Sequence, residues 1–117
     1  GGPAGQWATG LLTPDVDLLA PHLALFEAAN ILRRHQLAKI ITADQAAQAH
    51  ADLLDLPIDL WPYDVLAPRT WQLRGNLSAY DGSYVALAEM TDTTLATLDL
   101  RIARAPGLRC EIASPPL

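Results

Sequence analysis

Apolar positions along this chain fall into two alternating patterns. Short and nearly uninterrupted apolar runs predict strands, at 16–19, 58–61, 94–98 and 109–113. Longer segments with apolar residues every three or four positions predict helices, at 4–12, 21–36, 42–56, 65–75 and 78–90, with a helical turn at 100–104. Because strands that alternate with helices pair in parallel through right-handed crossovers, we expect an α/β domain.

Polar residues and prolines mark where these helices begin and end. Thr42 and Gln45 have the spacing of a capping box. Ser78 and Asp81 have a similar spacing, and an acid on the first turn also complements the helix dipole. Pro57 stops the helix that precedes the 58–61 strand. These signals place Asp81 at the start of a helix.

The composition indicates a single folded domain over residues 1–117. Its residues are 50% hydrophobic and 18% charged, a balance that is not typical of disorder. The net charge of -5 argues against a general nucleic-acid coat, but not against an enzyme that reaches phosphates through bound cations. A single cysteine, Cys110, excludes an internal disulfide. With no signal-peptide pattern and no membrane-spanning run, we expect a cytoplasmic protein.

Three acids lie where the strands and helices of such a domain meet. Asp99 follows the 94–98 strand, and ligands of open α/β sheets bind beyond the carboxyl ends of the strands. Asp81 lies on the first turn of the preceding helix. Glu27 lies in a helix that is apolar on nearly every side, so we expect that helix to be buried. Asn30 shares its face and is placed to orient the Glu27 carboxylate.

Each of these acids also has a purely structural interpretation. Glu27 fits a solvated stripe of its helix, Asp81 fits a helix cap, and Asp99 fits a cap of the 100–104 turn. Taken together, however, oxygen ligands at one edge of a parallel sheet suit Mg²⁺ or Mn²⁺. The histidines lack zinc-ligand spacing, and the sequence contains no glycine-rich phosphate loop and no nucleophile elbow. We therefore expect a carboxylate metal site.

Five segments carry a further signal. They are Ala20-Pro-His-Leu23, Glu27-Ala-Ala-Asn-Ile-Leu-Arg-Arg34, Tyr80-Asp-Gly-Ser-Tyr-Val-Ala-Leu-Ala-Glu89, Thr97-Leu-Asp-Leu-Arg-Ile-Ala-Arg104 and Ala105-Pro-Gly-Leu108. In order and spacing they resemble the PIN-domain family, and within it the VapC-type toxin ribonucleases of bacterial toxin–antitoxin pairs. The resemblance implies a three-layer fold with a mostly parallel central sheet between helices. It also implies a metal-dependent endoribonuclease, with Glu27, Asp81 and Asp99 as catalytic metal ligands and Thr97 as an accompanying polar residue.

The same resemblance implies partners for this chain. These are an RNA substrate, a VapB-type antitoxin and a second copy of the chain, with no membrane. The 21–36 and 42–56 helices are richly apolar, so we expect part of their surface to accept an amphipathic antitoxin segment. Six arginines on helical segments offer contacts to RNA phosphates: Arg33, Arg34, Arg69, Arg74, Arg101 and Arg104. Of these we select Arg33 and Arg101. Trp61 and Trp71 offer stacking surfaces, but we expect them to pack in the core instead.

One part of the family pattern has no counterpart in this sequence. That pattern opens with an apolar strand that ends in a catalytic Asp, and nothing before Gly1 supplies either. We therefore expect an N-terminally incomplete domain whose sheet lacks a central strand and whose site lacks one ligand, so that this chain alone is inactive. A catalytically crippled module that only binds its antitoxin stays open as an alternative. A phosphoacceptor receiver domain is discounted, because the only lysine, Lys39, follows a helix.

Overall fold

The computed structural model describes residues 18–96, 102 and 104–114, which contain four helices and four strands. In chain order they are β1 (Leu18–Pro21), α1 (Leu23–Leu37), α2 (Ala43–Asp55), β2 (Ile58–Trp61), α3 (Tyr63–Gln72), α4 (Ala79–Met90), β3 (Leu95–Ala96) and β4 (Ile112–Ala113). The predicted helix at 4–12 lies outside the described residues. The expected α/β class is confirmed.

The strands form two parallel pairs within the described part of the chain. In the first pair, β1 lies beside β2 with Leu18 opposite Ile58. In the second pair, β3 lies beside β4 with Leu95 opposite Ile112. Helix α4 packs against both β1 and β3, so it contacts one strand of each pair. Parallel pairing across helical connections is the topology that the alternating pattern predicts.

Helix α4 lies at the centre of the core. Its Val85, Ala86 and Leu87 are all buried, and the consecutive positions point to two different apolar clusters. The first cluster contains Leu73, Leu77, Val85 and Ile102, and the second contains Leu66, Ala86 and Leu87. Gly82 allows α3 to approach closely, because a Cβ at this position would lie 3.4 Å from Thr70 Cγ2. The start of α4 is therefore held in place by packing on two sides.

Local signals set the helix starts better than the strand ends. The Thr42 hydroxyl accepts from the Gln45 N–H at 3.1 Å and the Gln45 side chain accepts from the Thr42 N–H at 2.9 Å, which confirms the capping box. The helix predicted at 65–75 begins earlier, at Tyr63, because Pro62 costs no hydrogen bond at a helix start. The last strand is shorter than the predicted 109–113, because the Arg109 N–H donates to the Glu89 carboxylate at 2.7 Å.

The expectation that the Glu27 helix is buried is wrong. None of the residues of α1 is buried, and Phe26 and Ile31 are 76% and 44% exposed. The helix packs mainly against α2 and β1 among the described elements, and several of its apolar side chains are exposed. Glu27 is itself exposed, which agrees with the solvated-stripe interpretation of its position. Its carboxylate therefore carries no burial penalty, and its role has to be judged from its contacts.

Candidate functional site

The structure brings Glu27 of α1 to the side of α4. The Tyr84 hydroxyl donates to the Glu27 Oε1 atom at 2.5 Å, although the two residues are 57 positions apart in the sequence. Tyr84 is half-buried on α4, whereas Glu27 is exposed. A short hydrogen bond to a carboxylate is charge-assisted and stronger than a neutral one. Helix α4, which carries Tyr84, has more buried residues than the other described helices. The phenol therefore holds the exposed Glu27 side chain in a fixed position.

Asp81 lies on the first turn of α4, one turn before Tyr84. The Ser78 hydroxyl accepts from the Asp81 N–H at 3.1 Å, which is half of the predicted capping box. The reciprocal half is not formed, because the Asp81 carboxylate makes no hydrogen bond to any residue that the structure describes. Ser78 is therefore the cap of α4, and the Asp81 carboxylate is not needed for that purpose.

The carboxylates of Glu27 and Asp81 both affect the pKa of the Tyr84 phenol. The pKa of Tyr84 is raised well above its ordinary value of 10.0, first because the ring is partly buried. The hydrogen bond to Glu27 and the charges of Glu27 and Asp81 raise this pKa further, since they oppose a phenolate. The charges of Glu27 and Asp81 therefore both act on the Tyr84 phenol. Glu27 contacts Tyr84 directly, and Asp81 lies one helical turn before Tyr84 on α4.

The other predicted site residues differ in what the structure says about them. Thr97, Asp99 and Arg101 lie outside the described residues, so their placement stays a prediction. Asn30 and Arg33 are exposed on α1 and make no side-chain hydrogen bond within the described part of the chain. The contact that orients Glu27 in the structure comes from Tyr84. No group of three or more His, Cys, Asp or Glu side chains converges within residues 18–96, 102 and 104–114.

The Glu27 and Asp81 carboxylates have the donor chemistry of a hard-cation site. Glu27 and Asp81 offer carboxylate oxygens from two rigid helices, and neither is engaged in an ion pair among the described residues. Such oxygens are the ligands that Mg²⁺ and Mn²⁺ prefer. The residues present therefore fit a divalent ion in type. A third carboxylate has to come from outside the described residues, which is where Asp99 lies.

Tyr84 is the residue that sequence reasoning missed. In the sequence Tyr84 falls among the apolar positions of the predicted 78–90 helix, whereas the structure gives its hydroxyl a specific carboxylate partner. One signal was available in the sequence: Tyr84 follows Asp81 by three positions, so both side chains share a face of α4. The partner of the hydroxyl was not readable, because Glu27 approaches through tertiary packing.

Arg69, one of the six candidate arginines, has a structural role. Arg69 forms a salt bridge with Glu89 at 2.6 Å, and its side chain is only 16% exposed. Its Nη2 atom also donates to the Gly107 carbonyl at 2.7 Å. These contacts tie α3 and α4 to the segment that leads into β4. A guanidinium engaged in this way is not available to RNA phosphates.

The two tryptophans lie in different environments. Trp61 packs against the cluster of Leu66, Ala86 and Leu87, which confirms the expected core role. Trp71 is 63% exposed, so the same expectation is wrong for it. The Arg74 guanidinium lies 4.5 Å from the centre of the Trp71 ring, a cation–π arrangement that keeps this aromatic side chain at the surface.

An apolar groove of about 420 Å³ lies between α1 and α2, beside Glu27. Its lining residues are Ala28, Ile31, Leu32, Ala49, Asp52, Leu53 and Leu56. Ala28 follows Glu27 directly and Ile31 lies one helical turn further on, so one wall of the groove adjoins the candidate site. No helix of the described residues is long and apolar enough to cross a membrane.

Several curated ribonucleases are similar to this chain. Ribonuclease VapC1 of Mycobacterium tuberculosis (strain H37Rv) is 47% identical over 95 residues, which are 80% of this chain and 71% of the relative. VapC ribonuclease Mb0985 of Mycobacterium bovis is 38% identical over 99 residues, 85% of this chain and 78% of the relative. Ribonuclease VapC12 of M. tuberculosis is 33% identical over 86 residues, 74% of this chain and 67% of the relative. No family model matches the chain.

Proposed function

The chain belongs to the family of VapC ribonucleases, and from that premise we propose that it is an Mg²⁺-dependent endoribonuclease toxin of a toxin–antitoxin pair. The similarity to relatives that are named ribonucleases supports the reaction class. The observation that carries the proposal is the hydrogen bond from Tyr84 to Glu27. It brings a carboxylate of α1 to the acid-bearing start of α4, where oxygen ligands for a divalent ion are expected.

In this proposal three carboxylates hold Mg²⁺ or Mn²⁺. Glu27 and Asp81 are two of them, and Asp99, which lies outside the described residues, is the third. When bound, the ion supplies an activated water and neutralises charge that develops on the phosphodiester. Exposure of Glu27 favours access of an RNA backbone to this location, since a phosphate has to reach the same carboxylates.

The remaining tasks belong to residues of the chain itself. Tyr84 holds the Glu27 carboxylate in one orientation through its hydroxyl. Asn30 and Thr97 are the proposed polar neighbours of the acids. Arg33, which is exposed on α1, and Arg101 are proposed to contact RNA phosphates and offset the acidic charge of the site. The buried face of α4 keeps Asp81 and Tyr84 at a fixed spacing.

The groove between α1 and α2 is the proposed binding site for a VapB-type antitoxin. Its walls are mainly apolar, and it is open enough to accept the apolar side of a helical peptide. Because it adjoins Glu27, a bound segment is positioned to block the candidate site. This link between antitoxin binding and inhibition explains how one partner keeps a toxin inactive.

Self-association and location complete the proposal. The exposed apolar side chains of α1, Phe26 among them at 76% exposed, favour a homodimer, which the family resemblance also implies. Light scattering on the purified chain measures this directly. A cytoplasmic location follows from the proposed RNA substrate and antitoxin, and fractionation of expressing cells tests it.

Because residues 1–117 alone are expected to be inactive, the central experiment measures RNA cleavage with added Mg²⁺ by the full-length protein, as wild type, Glu27→Gln, Asp81→Asn and Asp99→Asn. We expect each variant to lose cleavage, because each loses a ligand charge while its shape is kept. Asp92→Asn is the matched control: it lies beyond the other end of α4 and has a positive φ of 52°, which Asn tolerates well. Equal cleavage by Asp81→Asn and wild type would contradict the assignment. Wild type that binds antitoxin but cuts no RNA would indicate the binding-only module instead.

A further inference from the structure

A second cavity, of about 220 Å³, opens where the end of β1 meets the first turns of α1, α3 and α4. Pro21, Leu23 and Leu66 form apolar walls. His22, Tyr63 and Tyr80 add three rings, and Tyr63 and Tyr80 are 50% and 67% exposed. Tyrosines that line a cavity and yet remain this exposed present their faces to solvent, which is the state expected of a surface that receives a ligand.

This cavity is next to the candidate acids on both helices that carry them. On α1, Leu23 lies one helical turn before Glu27, a rise of about 6 Å. On α4, Tyr80 comes directly before Asp81. A nucleotide whose phosphate lies at the two carboxylates therefore reaches the cavity with its base.

The chemistry of the cavity matches a single nucleobase. Its volume is below the range of about 300–1,000 Å³ that is usual for drug-sized ligands, so it suits a small flat group. Aromatic side chains are the usual stacking partners of unpaired bases, and the phenol hydroxyls and the His22 imidazole add hydrogen-bonding groups. The groove between α1 and α2 is nearly twice as large, at about 420 Å³, and better suited to a peptide.

We propose that this cavity, which we call the base pocket, holds one unstacked base of the RNA beside the phosphodiester that is cut. It is then a substrate-selection site. This inference rests on the proposed ribonuclease function. Tyr80 is the main stacking residue because it is the more exposed of the two tyrosines and the one adjacent to Asp81. Tyr63 lines the same cavity from α3.

The test is cleavage of a randomised RNA pool with Mg²⁺, followed by sequencing of the product ends, for wild type and three variants. We expect wild type to prefer certain bases at one position next to the cut. Tyr80→Ala should remove most of that base preference. It should also lower kcat/KM by about tenfold, which is the usual effect of losing one base-stacking contact. Tyr80→Phe keeps the stacking ring and loses only the hydroxyl, so it should keep most of the preference and lower kcat/KM much less than Tyr80→Ala does. Trp71→Ala removes another exposed ring, on α3 but outside the pocket, and should change neither quantity.

Other outcomes would overturn the base pocket. Wild type that cuts RNA without any base preference, or Tyr80→Ala that keeps the preference, would reject it while leaving the ribonuclease intact. If Tyr80→Ala instead shifts sedimentation from dimer to monomer, or abolishes antitoxin binding, the cavity receives a protein partner. Wild type that neither cuts RNA nor binds it in Ca²⁺ would reject both proposals. Tyr63→Ala repeats the test from α3 if the Tyr80→Ala chain does not fold.

Discussion

The two acids of helix α4 differ in almost every respect. Near the end of the helix, Glu89 is 9% exposed and accepts hydrogen bonds from Arg69 at 2.6 and 3.1 Å and from the Arg109 N–H at 2.7 Å. At the start of the helix, Asp81 is half-buried and its carboxylate has no hydrogen-bond partner among the described residues. Within the described residues, one carboxylate is fully satisfied, whereas the other makes no hydrogen bond.

The physical contrast separates structure from function on a single element. A buried carboxylate has to be compensated, and Glu89 is, by a guanidinium and a backbone amide. Asp81 and Glu27 are less buried than Glu89, and neither forms an ion pair with a described residue. Their one fixed feature is the shared neighbour Tyr84. Acids without an ion-pair partner among the described residues, held at a defined spacing, are candidates for ligand binding.

The largest expected effect is on RNA cleavage, and it comes from removing the charge of Asp81 at the start of α4. Asp81→Asn should lower Mg²⁺-dependent cleavage by more than about 100-fold, because even outer-shell partners of a metal are worth about 10–100-fold. It should change the free energy of unfolding by less than about 1 kcal/mol, since the residue is only a first-turn acid. Cleavage assays and urea titrations of the same preparations measure both quantities. Asp81→Asn that unfolds early and still cleaves would reverse our assignment.

Glu89→Gln should show the opposite pattern. Replacing the carboxylate leaves the Arg69 guanidinium without its charge partner, which should lower the free energy of unfolding by about 3 kcal/mol. The folded fraction should cleave RNA as wild type does, because Glu89 is not a proposed ligand. Glu111→Gln is the matched control: this exposed acid accepts one side-chain hydrogen bond, from Thr94 at 3.3 Å, and its loss should cost less than about 0.5 kcal/mol.

Tyr84→Phe probes the link between the two acids with a smaller effect. The change removes only the hydroxyl that donates to Glu27, so it should lower the free energy of unfolding by about 1 kcal/mol. The Mg²⁺ concentration that gives half-maximal cleavage should rise by about tenfold, as expected for a group that orients a ligand. Tyr80→Phe removes a hydroxyl from an exposed residue of the same helix and should leave the Mg²⁺ requirement unchanged. Equal requirements in both variants would remove Tyr84 from the site.

How far the sequence predicted this arrangement depends on the range of the interactions. Local signals were sufficient for the Thr42–Gln45 capping box and for the Ser78 cap, because both partners lie within four residues. They also placed Asp81 on the first turn of its helix. The parallel pairing of β1 with β2 followed from alternation of strands and helices. The fold class was therefore readable without any knowledge of tertiary contacts.

Interactions across the fold were not readable in the same way. Glu27 was expected on a buried helix, but hydrophobicity alone does not say which faces of a helix are covered, and those of α1 are covered only in part. Arg69 looked like any solvated arginine, because its partner Glu89 is 20 residues away in sequence. The Tyr84 contact spans 57 residues. For Asp99, Thr97 and Arg101 the sequence prediction still stands alone.

A substitution in the groove between α1 and α2 tests antitoxin binding without changing Glu27, Asp81 or Glu89. Leu53→Glu places a charge in its apolar lining and should weaken binding of the cognate antitoxin by about tenfold or more, since charges are depleted from interface cores. RNA cleavage by the full-length protein without antitoxin should not change. Leu54→Glu is the control, because Leu54 is 59% exposed and does not line the groove. Calorimetric titration with the antitoxin separates the two variants.

The smallest expected effect is a pH dependence that belongs to Glu89. Burial alone raises the pKa of this carboxyl, but the hydrogen bonds from Arg69 and from the Arg109 N–H outweigh it, so the pKa lies below its ordinary value of 4.5. The folded state therefore prefers the ionised form more than the unfolded chain does. The resulting stability is fully present above the unfolded pKa and is lost as the pH falls through the folded pKa.

This dependence is measurable as a difference between two chains. Urea unfolding of wild type and Glu89→Gln shares every other titrating group, so subtracting the two free energies isolates the Glu89 contribution. The difference should be constant from about pH 7 down to about pH 5 and should shrink progressively below about pH 4.5, because protonation then removes the charge in wild type as well. A difference that stays constant down to about pH 3 would mean that Glu89 stabilises the fold through packing and not through its charge.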